Sequence, residues 1–87
     1  MVYDSTRKRS ELEIYANILK IAAQGAKKSH LVYQNNSNHK VMQKYIEVLR
    51  KNELLEGPSE RKMYKTTDKG FKYIDLAQEL LKYNQLN

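Results

Sequence analysis

The sequence predicts a mostly helical α+β domain with the order helix, helix, helix, hairpin, helix. Three observations carry that prediction. Apolar residues recur at helical spacing in four segments, each beginning beside a Ser or Thr able to cap it. Between the third and fourth segments, two short extended runs flank Gly57-Pro58, which reads as a hairpin. A chain of 87 residues is also long enough for only one core.

Residues 1–9 hold Arg7, Lys8 and Arg9 without periodicity and read as a basic arm. Ser10 opens the first helix, residues 11–24, and Glu13 completes a capping box. Leu12, Ile14, Tyr15, Ile18, Leu19, Ile21 and Ala22 give it a broad apolar face. Gly25 can take the left-handed conformation that ends it. Lys27 and Lys28 then form a short connection. Ser29 is the expected cap of a shorter helix from His30 to Asn35, with Leu31 and Val32 inward and Tyr33 beside them. Asn35-Asn36-Ser37 reads as a turn, because Asn tolerates positive φ and both residue types bond their own backbone.

The third helix, residues 38–51, is the most informative. Ser37 stands before it as the expected N-cap. Met42, Tyr45, Ile46 and Leu49 fall on one stripe; Lys40, Gln43, Lys44, Glu47 and Lys51 fall opposite. One face can anchor in a core while the other presents cationic and amide groups. Two helices joined by a tight turn, the second amphipathic and basic, make a helix-turn-helix pattern.

The hairpin, residues 55–66, follows. A two-stranded hairpin is not stable alone, so this one must lean on the helices, through Leu55 and Tyr64. Pro58 has no amide to donate and belongs in its loop or at an edge. Thr67 caps the last helix, Asp68 to about Tyr83, with Asp68 complementing its dipole. Phe71 and Ile74, continuing toward Leu81, form a stripe that closes the core. Tyr73, Leu76, Leu80 and Tyr83 form a second, at heptad-like spacing. That stripe has no obvious home in so small a domain, and a two-fold partner helix would cover it. Wrapping around the first helix is the alternative. Residues 10–66 therefore read as the core domain and residues 67–87 as a helix available for dimerisation.

Composition narrows the function. There is no Cys, which excludes disulfides and thiolate zinc sites and fits a cytoplasmic protein. No run approaches the ~18 apolar residues of a membrane span, and no apolar segment follows the basic N-terminus as a secretory signal requires. Net charge is +6, and residues 27–51 hold Lys27, Lys28, Lys40, Lys44, Arg50 and Lys51 against the single acid Glu47. A field so concentrated speaks for an anionic partner; a merely solvated basic face is the competing reading.

Asn38, His39 and Gln43 are the candidate base readers, since Asn and Gln pair bidentately with adenine. Lys40 and Lys44 are candidates for bases or phosphate. Lys27, Lys28 and Ser29 stand at the start of the second helix, where ammoniums and free amides suit a phosphate. Arg61 and Lys62 on the hairpin are candidates for the flanking backbone or the minor groove. Charges on a hairpin also resist edge pairing, which is the plainer explanation for the last pair. The tyrosines, spread along the chain, read as core or boundary residues before base-stacking ones. His30 and His39 lack carboxylate partners at ligand spacing, and no nucleophile set or Gly-rich phosphate loop occurs. No catalytic residue, metal or cofactor is expected.

Several of these residues also carry a family resemblance. Leu12-Glu13-Ile14, Ile18-Leu19, Gly25, Lys28-Ser29, Tyr33 and Asn36, then Tyr45-Ile46 with Leu49, then Tyr64 and Thr67-Asp68-Lys69-Gly70 form an ordered set. The set resembles the small archaeal winged-helix DNA-binding proteins of about ten kilodaltons, across about residues 10 to 83. The resemblance implies a winged helix-turn-helix that binds double-stranded DNA, cytoplasmic and nucleoid-associated. It implies that the third helix enters the major groove, that the hairpin is the wing, and that last helices pair in a homodimer. Thr66 departs from the pattern, standing where the family usually has a larger apolar residue. A winged helix that binds protein rather than nucleic acid is the alternative, and RNA is a third possible partner.

Overall fold

A computed structural model describes residues 10–84 of the chain; the arm over residues 1–9 lies outside the described residues. The expected capping begins the fold. The Ser10 hydroxyl accepts from the Glu13 amide at 3.2 Å and starts α1, Glu11–Ile21. The last turn of the expected helix tightens into a 3-10 turn, Ala22–Gln24, and Gly25 leaves it at φ 97°. The chain then runs extended as β1, Ala26–Lys27, turns into α2, Lys28–Gln34, and continues as α3, His39–Lys51. The hairpin is β2, Leu55–Glu56, and β3, Met63–Thr66, and α4 is Asp68–Asn84.

This is the anticipated order with one addition. β1 pairs antiparallel with β3, so the sheet has three strands in the order β1-β3-β2. That pairing corrects the start of α2. Lys27 is held extended opposite Met63, and the helix begins at the next residue, with Lys27 as an N-cap that makes no side-chain bond. Ser29 is therefore inside the first turn and not the cap.

The chain on both sides of α3 is closed by backbone geometry. At the end of α2, Ser37 donates its amide to Val32 at 3.0 Å and Asn36 to Tyr33 at 3.3 Å, with Asn36 at φ 51°. This Schellman closure takes Ser37 into the end of α2, and α3 begins at His39 with Asn38 extended before it. Asn38, not Ser37, accepts the Val41 amide at 2.9 Å. At the other end, Leu54 donates to Leu49 at 2.9 Å and Glu53 to Arg50 at 3.0 Å, with Glu53 at φ 62°.

Ile18, Leu19, Leu31, Met42, Ile46 and Leu49 are the largest fully buried side chains. Each contributes roughly 1.5–3 kcal/mol of transfer free energy. Leu55 and Tyr64 lean on them as expected. Thr66 is buried too, and its hydroxyl donates to the Leu19 carbonyl at 2.6 Å. A larger apolar side chain there would leave that carbonyl near the end of α1 without this partner. Asn17 Nδ2 donates to Asn35 Oδ1 at 2.7 Å, and Asn35 Nδ2 donates to the Leu31 backbone carbonyl at 2.8 Å, which ties α1 to the end of α2.

α4 packs along α1, and Gly70, Ile74 and Ala77 are its buried residues. The axis passes so close to Leu54 at Gly70 that a Cβ there would overlap the Leu54 carbonyl oxygen. Gly70 thus defines the inward face. Phe71, one residue on and about 100° round the helix, is turned outward and is 42% exposed, contrary to the core position expected for it. Tyr73 lies half-buried against the core, while Leu76, Leu80 and Tyr83 are exposed.

Candidate nucleic-acid interface

The outer face of α3 follows from the burial of the inner one. With Met42, Ile46 and Leu49 fully buried, His39, Lys40, Lys44, Glu47 and Lys51 are exposed, and Gln43 lies half-exposed among them. Asn38 is exposed at the N-terminal end, but its side-chain oxygen is committed to the cap. One lone pair of that oxygen and the amide hydrogens remain for a ligand.

Gln43 is held on two sides. The Lys28 ammonium donates to Gln43 Oε1 at 2.7 Å, and Gln43 Nε2 donates to Glu47 Oε2 at 3.1 Å. The first of these bonds joins the start of α2 to the exposed face of α3. Lys27, Lys28 and Ser29 also line, with Pro58, Arg61, Lys62 and Tyr64, a cleft of about 380 Å³ between the start of α2 and the hairpin loop. Two of the proposed groups, at residues 27–29 and 61–62, therefore share one cleft, and Lys28 links it to Gln43.

The loop itself is tight. Ser59 donates its amide to Met63 at 2.9 Å and accepts from Lys62 at 2.8 Å, and its hydroxyl accepts from Met63 at 3.2 Å. Lys62 is held at φ 62°, so the loop tip presents Arg61 and Lys62 side by side, both exposed. Sequence reasoning missed Pro58 and Tyr64 as cleft residues, and Glu47 as a partner of Gln43. The helical spacing of Gln43 and Glu47 was the available signal; the Lys28 contact is tertiary and left none.

Most of the described tyrosines belong to the body of the domain. Tyr15 and Tyr45 pack edge to face with centroids 5.6 Å apart. Burial pushes the Tyr15 phenol up, with the Glu11 carboxylate and Tyr45 adding to it. Burial raises Tyr73 likewise, with smaller effects of Tyr15 and Glu11. Tyr33 is different: it is 79% exposed, not beside the core as expected, because the short α2 buries only Leu31 fully.

Among the described residues no group of three or more His, Cys, Asp or Glu comes together as a metal site. No helix there is long and apolar enough to cross a membrane. A family model described as winged helix-turn-helix matches residues 8–85 of this chain. No curated protein matches it.

Proposed function

Because the chain belongs to the winged helix-turn-helix family, we propose that it binds double-stranded DNA, as a transcriptional regulator or a chromatin-type binder. α3 enters the major groove with Asn38 and His39 leading and Lys40, Gln43 and Lys44 following. The wing brings Arg61 and Lys62 to the flanking backbone or minor groove, and Lys27, Lys28 and Ser29 meet a phosphate. The observation that supports this most is the shared cleft: cations from the start of α2 and from the wing line one depression, and Lys28 bonds to the helix proposed to read the bases.

Affinity on this reading is mostly electrostatic, and each phosphate contact adds about 0.9 to the slope of log affinity against log salt. Lys40→Ala and Lys44→Ala should each weaken duplex binding in fluorescence-anisotropy titrations while leaving the thermal melt in place. Unchanged affinity for both would remove α3 as the contact surface.

The exposed stripe Leu76, Leu80 and Tyr83, with Tyr73 at its inner edge, supports a homodimer through α4. It also favours a second reading, in which the stripe docks another protein and the basic charge serves solubility. Gel-shift titration with random duplex at low salt separates the two: duplex binding supports the first, and its absence supports the second.

A further inference from the structure

We infer that Gln43 selects adenine, and that Lys28 and Glu47 are positioning residues that set its carboxamide for that task. The inference rests on α3 being the helix that meets the bases. A glutamine carboxamide has two donor hydrogens and two acceptor lone pairs. Its terminal torsion is soft, so an unrestrained carboxamide presents either end to a base and discriminates poorly. Gln43 is not unrestrained. An ammonium stands 2.7 Å from its oxygen and a carboxylate 3.1 Å from its nitrogen. Turning the group over would set NH2 against the Lys28 ammonium and oxygen against the Glu47 carboxylate. Two charge-assisted hydrogen bonds would become two repulsions.

The two bonds leave one lone pair on Oε1 and one hydrogen on Nε2. That remaining acceptor and donor match the major-groove edge of adenine, which donates from N6 and accepts at N7. Guanine offers acceptors at both O6 and N7, so one of them would face the Gln43 oxygen. The clamp also accounts for Glu47, the single acid among residues 27–51. On a surface that sought only phosphate it would be a plain electrostatic loss. Lys28 belongs to α2 and Glu47 to α3, so the orientation exists only once the two helices are assembled.

The test is selection from a random duplex library, followed by anisotropy titration of the selected duplex with adenine or 7-deazaadenine at the enriched position. Wild type should enrich an adenine, and loss of its N7, which removes one of the two bonds of the bidentate contact, should weaken binding roughly two- to tenfold. Gln43→Ala should show no such penalty. Glu47→Ala should bind random duplex more tightly, because an acid has gone, yet lose most of the adenine preference. A residue with only a structural role would not move those two readouts in opposite directions. Duplex binding by wild type without adenine enrichment overturns this inference alone, as does a Glu47→Ala variant that keeps full discrimination. Failure of wild type to bind any duplex at low salt overturns the reading of α3 as well.

Discussion

Glu53 sits just past the cap of α3 at φ 62°, a conformation that suits glycine and costs a side-chain-bearing residue about 1 kcal/mol or more. Its backbone closes the helix by donating to Arg50, and its carbonyl accepts the Thr67 hydroxyl. No side-chain bond of Glu53 is part of that closure. Glu53→Gly should therefore stabilise the domain by about 0.5–1 kcal/mol after glycine's greater unfolded-state freedom is offset. A thermal melt should rise by several degrees, at roughly 4–8 °C per kcal/mol for a domain of this size. Asn36 holds the same conformation at φ 51° after α2, where Asn accepts it more readily. Lys62 holds it at φ 62° on the wing, where the same replacement would remove a cation from the cleft.

Among the elements, the docking of α4 turns on Gly70, because the Leu54 carbonyl and the Thr66 methyl leave no room for a Cβ. Gly70→Ala should lower stability by about 1–3 kcal/mol through overpacking, read as a fall in the urea midpoint with the slope unchanged. The glycine itself was legible in the sequence; its consequence for Phe71 was not, since helical spacing alone cannot say which of two adjacent stripes faces inward. What was legible throughout was local. The Ser10 and Thr67 caps, the periodicity of α1 and α3, and the Gly57-Pro58 turn all lie within a few residues of what they determine. What was missed depended on distant strands or turns. β1 exists because β3 comes back beside it, and the start of α2 moves with it. Asn38 replaces Ser37 as cap because the turn that closes α2 takes up Ser37, and α3 begins one residue later, at His39. Of the candidate interface, the outer face of α3 was readable from its period. The joining of Lys28 to Gln43, and of the wing to the start of α2, was not.

At the scale of the whole molecule, assembly turns on α4. Leu76 and Leu80 are 61% and 53% exposed and Tyr83 is 71% exposed, on the side of the helix away from the buried Gly70, Ile74 and Ala77. A dimer that covers this stripe should be split by Leu80→Lys, which puts a charge into the seam without touching the core. Sedimentation equilibrium should then report a monomer for the variant and a dimer for wild type; a wild type that is monomeric at high concentration removes the idea. A further property follows from Thr67. Its hydroxyl donates to the Glu53 carbonyl at 2.6 Å and accepts from the Gly70 amide at 3.0 Å, while its own amide donates to Leu54 at 3.1 Å. The root of α4 is thereby pinned to the exit of α3, although a whole hairpin separates them along the chain. The two helices are thus joined end to end by bonds that bypass the hairpin, and the angle between them is set at this junction and not by the wing.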